Sequence, residues 1–316
     1  ANQLFARQLG NSPFGQALFV QDAHQAGGAR LVRLAEGLDA RVRALARADL
    51  AGRVPLDAQA RIGWPHAVTV VGHAQQARAT GFDVDEASQK KLAEKAAKLG
   101  VETVITFSGC PGSDARAVMP SWIVSPWPPE FSAALDWQWK ERVAPYWKQA
   151  AAVCRNAGVK VAIEMHPNFV AYNPETMNRL RAIAPRVIGC NFDPSHMFWQ
   201  GVDPVAAIRA IGDGILHVHA KDCKLDAANI SVNGVLDAKS YTRELERSWV
   251  FRTVGYGNGA PVWKAMVSAL RLVGYDHVLS IEHEDSLMSS NEGFLKAIAF
   301  LKEVLIFEAP SVMSWA

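Results

Sequence analysis

The sequence predicts an α/β fold, a (β/α)8 TIM barrel in which parallel strands are wrapped by helices. Three observations lead there. From residue 67 onward, short apolar β-branched runs alternate with longer amphipathic stretches. Glycines stand where several of those stretches end. The last four short runs finish in ionisable residues, and the C-terminal end of a barrel strand is where such a fold carries its chemistry.

Taken in order, residues 1–66 are the weakest part of the pattern. They are rich in Ala and Arg (ARLVRLAEGLDARVRALARADLAGR), a composition that favours helix over strand. A helix is expected near 28–49, and no opening pair of strands is evident, so the barrel is expected to begin with an atypical segment. Strands are then expected at AVTVVG (67–72), TVITFSG (103–109), VAIEMH (161–166), VIGCNFD (187–193), ILHVHA (215–220) and VLSIEH (278–283). Helices are expected at about 85–99, 131–157, 174–184, 203–212, 260–274 and 290–306, each with apolar residues three and four apart. Gly100, Gly158 and Gly274 occupy helix C-terminal cap positions. Strand–helix–strand repetition of this kind implies parallel strands with helices outside. The 316 residues suit one barrel, which typically needs about 250. No Pro/Ser-rich linker divides the chain, so a single domain over 1–316 is expected, with clear repeats over 67–306.

Bulk properties exclude several classes. With 33 basic and 31 acidic residues the net charge is +2, which gives no electrostatic basis for binding nucleic acid or an anionic membrane. Cys110, Cys154, Cys190 and Cys223 form no closely spaced pair, so they read as reduced thiols of a cytoplasmic enzyme. The opening ANQLFARQLG lacks the basic-then-apolar pattern of a signal peptide, and no run approaches the roughly 18 apolar residues of a membrane span.

The last four strand ends read IEMHP, NFDPSH, HVHAKD and IEHED. Alternation along a strand puts Glu164 with His166, His217 with His219, and Glu282 with Glu284 on common faces. A carboxylate pointing into a barrel mouth is costly unless it is paired or bound to a cation. A lone His or Glu at a strand end is most often solvated or structural. Four consecutive strands ending this way point instead to one shared partner. Glu164, Asp193, His219 and Glu282 supply three carboxylates and one imidazole, a hard set suited to a single divalent ion. Mn2+ ranks first, with Mg2+, Co2+ and Zn2+ as the alternatives. His196 and His166 stand where they support the ligands or touch substrate. His217 fits a hydrogen-bonded core histidine equally well. Lys221 and Asp222 read either as positioning a substrate oxygen or phosphate, or as a solvated pair.

Tryptophans add a second signal. Trp122 and Trp127 lie in the loop after the 103–109 strand, and Trp199 follows the Asp193 motif. Indole faces stack on sugar rings, so they suit a carbohydrate. Trp137, Trp139 and Trp147 read as helix packing. His73, at the end of the 67–72 strand, is the early candidate for a mouth residue. The glycines of GYGNG (255–259) match a phosphate loop only superficially, because no clear strand precedes them.

These strand ends, with TFSGCPG (106–112), FWQGVDPVAAIRA (198–210) and RTVGYG (252–257), resemble the xylose-isomerase-like TIM-barrel superfamily, in particular its sugar phosphate isomerase/epimerase family. The resemblance covers about 67–306. It implies that Glu164, Asp193, His219 and Glu282 hold one metal and that Glu164 and Glu282 also move protons. It places His196 in the catalytic set and Arg252 among the substrate contacts, beside His166, Lys221, Trp122, Trp127 and His73. The implied reaction is isomerisation or epimerisation of a sugar, sugar phosphate or keto-sugar, by proton abstraction next to a carbonyl through a metal-stabilised enediolate. The alternatives are a lyase eliminating the aglycone of 3-keto-glycosides and a non-catalytic sugar-binding barrel. Phosphodiester cleavage would need more metal-binding histidines and a basic surface. The expected partners are a small carbohydrate substrate and either a second copy of the chain or a small partner subunit.

Overall fold

The computed structural model describes residues 2–6, 18–22, 70–71, 90–91, 93–94, 96–97, 100–308, 311, 313 and 315. The helix expected near 28–49 and His73 lie outside the described residues. In chain order the strands are β1 (Asn2–Ala6), β2 (Leu18–Asp22), β3 (Val70–Val71), β4 (Thr103–Phe107), β5 (Lys160–Glu164), β6 (Ile188–Phe192), β7 (Ile215–Ala220), β8 (Asp222–Leu225), β9 (Trp249–Arg252) and β10 (Leu279–His283). The helices are α1 (Pro129–Trp137), α2 (Ala144–Asn156), α3 (Pro174–Arg181), α4 (Ser195–Phe198), α5 (Pro204–Ile211), α6 (Ala227–Asn233), α7 (Ala260–Leu272) and α8 (Ser290–Val304). Five of the expected strands form, and of the one expected at 67–72 the described residues Val70–Val71 are strand. Two units emerge, one drawn from Ala1–Gly52, Met197–Arg209 and Val218–Ala316, the other from Arg53–His196 and Ala210–His217.

In the second of these, β3, β4, β5 and β6 pair in parallel. Register sets Phe107 opposite Glu164, and Glu164 opposite Asn191. Every residue of β6 and all but the first of β5 are buried, as in a sheet covered on both faces. Ala93, Ala96, Val101, Val104 and Val159 pack together on one side. Residues Pro129 to Asn156 form one continuous helical stretch, as the sequence predicts, but its middle, Gln138–Val143, is π-helical. The Gln138 amide donates to the carbonyls of Pro111, Gly112 and Ser121 at 3.0, 3.2 and 2.8 Å. Trp147 Nε1 donates to the Ser108 carbonyl at 3.1 Å. Both therefore tie down the segment that leaves β4. Asn173 caps α3: its side chain accepts from the Thr176 N–H at 2.9 Å, while the Thr176 hydroxyl accepts from the Asn173 N–H at 3.1 Å.

In the first unit, β10 pairs in parallel with β2 on one side and with β7 on the other. The sequence reading found no strand in residues 1–66. Two form, and they are antiparallel to each other, Asn2 opposite Asp22 and Ala6 opposite Leu18. A hairpin strand of five residues carries too little periodicity to stand out beside the long Ala/Arg run. The antiparallel ribbon of β8 and β9 was not foreseen either. Helix α7 buries Trp263, Met266, Val267 and Leu270, and α8 buries Phe294, Ala297, Leu301 and Val304, each at helical spacing.

The three glycine caps form as expected. Gly100, Gly158 and Gly274 have φ of 67°, 72° and 83°. In each, the next residue's N–H reaches back to the carbonyl five positions earlier, as Val101 does to Ala96, Val159 to Cys154 and Tyr275 to Leu270. That is the Schellman pattern, and it needs the left-handed conformation glycine adopts without strain.

Candidate active site

The ends of β5 and β6 carry one cluster. Glu164 closes β5 and is buried. Its Oε2 accepts from the Asn191 amide at 2.9 Å, and its Oε1 lies 3.5 Å from His196 Nε2. Asp193 follows β6 and is fully buried. Its Oδ2 lies 3.4 Å from the same His196 nitrogen, and its Oδ1 accepts the Ser195 N–H at 2.8 Å. One imidazole thus stands between two buried carboxylates. His166 Nδ1 lies 2.7 Å from the Pro167 carbonyl, which can only accept, so Nδ1 is the donor in that contact. The His166 and His196 rings are 4.1 Å apart. Glu164, His166 and His196 each offer a ligand atom within 4.8 Å of the others, a grouping able to hold a metal ion.

The ends of β7 and β10 carry a second cluster. Nδ1 of His219 lies 3.0 Å from Glu282 Oε2. The Lys221 ammonium lies 3.2 Å from Glu282 Oε1 and 2.5 Å from Glu284 Oε2, and it sits 4.1 Å over the Phe251 ring. His219, Lys221 and Glu282 are buried, and Glu284 is partly so. His217, on the same strand face as His219, is buried too.

Asp222 answers to neither sequence reading, since it is buried and turned inward. Its Oδ2 accepts from the N–H groups of Gly255, Gly257 and Asn258 and from Trp263 Nε1, at 3.0, 3.3, 3.0 and 3.2 Å. Its Oδ1 accepts from the Cys223 N–H and the Asn258 amide at 2.9 and 2.7 Å. The GYGNG segment is therefore an anion-binding nest whose anion is part of the chain. A Cβ on Gly257 would lie 2.6 Å from the Asp222 carboxylate, so the nest closes only on glycine.

Arg252 is also engaged internally. It donates to Glu244 at 2.8 Å, to Asp285 at 3.3 Å and to the Phe251 carbonyl at 3.0 Å. Burial would raise the Glu244 carboxyl, but hydrogen bonds from Ser286 and Arg252 outweigh it and hold the group below the usual carboxylate range. Asp285 accepts the N–H groups of Thr253 and Leu287 at 2.8 and 2.9 Å.

The tryptophans divide. Trp122 is partly buried and meets Tyr172 edge-on at 5.4 Å, while Trp127 is 76% exposed. Trp139 and Trp147 are core residues, as expected. Trp199 is not available for stacking on a sugar: it is buried and lies flat on Trp249, centroids 4.8 Å apart. Sequence reasoning missed Asn191, Glu244 and Phe251. Asn191 was findable, because it stands in β6 two residues before Asp193.

The four cysteines are thiols. Among the described residues no helix is long and apolar enough to cross a membrane. Comparison with known proteins gives a consistent picture. The family described as Xylose isomerase-like TIM barrel matches residues 66–304. An uncharacterized protein of Bacillus subtilis (strain 168), YfiH, is 37% identical over 218 residues, which is 68% of this chain and 70% of that one. An inosose dehydratase of Geobacillus kaustophilus (strain HTA426) is 28% identical over 93 residues, covering 29% of this chain and only 30% of that enzyme's length. The solved structure of the IOLI protein with a binding zinc atom aligns with a TM-score of 0.52 at 18% identity, over 81% of this chain and 84% of that one.

Proposed function

This chain belongs to the xylose isomerase-like TIM-barrel family, and from that premise we propose that it is a sugar-converting enzyme, a divalent-metal-dependent isomerase or epimerase acting next to a carbonyl. The observation that carries the reading is that Glu164 and Glu282, each buried at a parallel strand's C-terminal end, each lie within 3.5 Å of an imidazole. Buried carboxylates beside imidazoles are the donors a hard or borderline divalent cation takes. The proposed ligands are Glu164, Asp193, His219 and Glu282, with Mn2+ the first choice. Such an ion would supply Lewis-acid polarisation of the substrate carbonyl oxygen.

The chain's own residues account for the proton movement. Asn191 donates to Oε2 of Glu164 and so fixes how that carboxylate is turned. Glu164 and Glu282 are the pair that removes a proton and returns it, to the opposite face in an epimerase and to the neighbouring carbon in an isomerase. His196, between the two carboxylates of its cluster, donates to a substrate hydroxyl. Lys221 gives Glu282 a counter-charge. Trp122 covers one face of the sugar ring.

A second reading, elimination next to the carbonyl, is favoured by the relative named an inosose dehydratase. Both readings begin with the same proton abstraction. Proton NMR in D2O, with Mn2+-loaded protein and a panel of ketoses, keto-polyols and 3-keto-glycosides, separates them. Deuterium beside the carbonyl with an isomer or epimer supports the first. Loss of water or an aglycone supports the second. No exchange with any member of the panel would overturn both.

A further inference from the structure

The excursion between β8 and β9, residues 226–248, has no part in the proton transfer proposed above. Its inner side is closely tied. The Arg247 guanidinium is buried between the rings of Tyr241 and Trp249, 4.2 and 4.8 Å from their centroids, and donates to the carbonyls of Lys239 and Trp249. Asn229 of α6 donates to the carbonyls of Leu245 and Arg247 at 3.1 and 3.0 Å. Trp249 Nε1 donates to the Val235 carbonyl at 3.0 Å, and Asp237 accepts the Ser248 N–H at 2.8 Å. These bonds hold the excursion in one shape, and its large apolar side chains are left outside. Leu245 is 94% exposed, Val232 80% and Leu236 68%, and Leu225 and Tyr241 are exposed as well. Helix α6 buries no side chain, although a helix of a folded domain ordinarily buries one face.

Area and charge together say what covers this face. The five side chains present roughly 600 Å² of surface, against about 800 Å² per partner in a stable interface and about 300–600 Å² for the largest apolar patch of an ordinary monomer. Residues 224–248 carry four basic and four acidic side chains. Lys239 pairs with Asp237, Arg243 with Glu246, and Glu244 with Arg252 of β9. Charges closed within the chain give an acidic or a basic partner little to pair with. They suit a second copy. Across a two-fold axis the same patch meets itself, so a surplus of either sign would be set against its own like, and equal numbers remove that repulsion. The bonds on the inner side also mean that little ordering is left to be done on association.

We propose that the excursion between β8 and β9 is the surface through which two copies of this chain form a two-fold dimer, with Leu245, Val232 and Leu236 as its apolar anchors. The inference does not depend on the reaction proposed above. Sedimentation velocity of the full chain from about 1 to 100 µM is expected to show a dimer with a dissociation constant of about 10 µM or tighter. Leu245→Glu and Val232→Lys change exposed side chains, so the circular dichroism spectrum should stay that of the parent. Each places an unpaired charge in the interface and is expected to weaken the dimer at least about thirtyfold. Met119→Glu charges another exposed apolar side chain, outside the excursion, and is expected to leave the dissociation constant within about threefold of the parent. A parent that stays monomeric at the highest concentration would overturn the proposal. So would a dimer that Leu245→Glu and Val232→Lys both leave intact, or one that Met119→Glu dissociates as strongly as they do.

Discussion

Replacing Asp222 with alanine tests the most heavily bonded side chain described above. The carboxylate accepts from six donors on five residues. The Asn258 amide also reaches a second acceptor, the Cys223 carbonyl at 3.1 Å. A buried donor left without a partner costs about 1–3 kcal/mol, and the costs do not add fully because water enters the vacated space. A net loss of about 3–5 kcal/mol is expected for Asp222→Ala, at the upper end of single substitutions. Asp222→Asn keeps the shape and one oxygen. Turned toward the four-donor side, that oxygen serves Gly255, Gly257, Asn258 and Trp263, while its NH2 confronts the Cys223 N–H and the Asn258 amide. About half the loss is expected there. Equilibrium urea unfolding reads both. With a slope near 3 kcal/mol/M, the alanine midpoint should fall by about 1–1.7 M. A midpoint within about 0.2 M of the parent would refute the reasoning, since it would mean that water replaces the carboxylate at no cost.

Four further outcomes follow from other residues. Glu282→Gln should abolish turnover and weaken Mn2+ binding by titration calorimetry, with the circular dichroism spectrum unchanged; retention of both activity and metal would remove Glu282 from the site. Asn191→Leu removes the donor that orients Glu164 and should lower kcat about ten- to a hundredfold with little change in KM, whereas an effect confined to KM would contradict a positioning role. Gly274→Ala meets no atom within 4 Å, so its cost is the backbone alone at φ 83°; about 1–2 kcal/mol and a midpoint lower by a few degrees are expected, and an unchanged midpoint would mean that the cap relaxes. Asp237 gives a pH dependence. Burial opposes its ionisation, but the Ser248 N–H, the Lys239 ammonium and N–H, and the Arg247 charge outweigh it and lower the carboxyl from 3.8 to about 2. The depressed group contributes stability that is present above 3.8 and is lost as pH falls through about 2. Asp237→Asn should therefore unfold earlier than the parent near neutrality, with the gap closing in acid; a constant gap would exclude the linkage.

The parallel strands were legible because apolar, β-branched runs stand out, and β4, β5 and β10 each follow a glycine cap, whose geometry at Gly158 and Gly274 follows from residue type alone. The strand-end positions of Glu164, Asp193, His219 and Glu282 were legible because each closes a short apolar run, and all four are buried. The ribbon of β8 and β9 was not, because DCKL carries no strand pattern and its partner WVFR lies more than twenty residues away. The role of Asp222 was hidden for the same reason: all but one of its donors stand 33 to 41 residues downstream. Trp199 misled because indole is equally suited to a sugar face and to another indole, and only the position of Trp249 decides between them.

The π-helical turns between Pro129 and Asn156 also fix the angular phase of that helix. Gln138 and Trp147 are nine positions apart, and on a straight α-helix nine steps of about 100° leave two side chains on opposite sides. Yet both hold the segment between Ser108 and Ser121. The slower rotation through Gln138–Val143 narrows that angle and turns the two anchors toward the same segment. Exposed side chains along this stretch can vary freely, but loss of a single residue from those turns would set the anchors out of phase and release the segment that leaves β4.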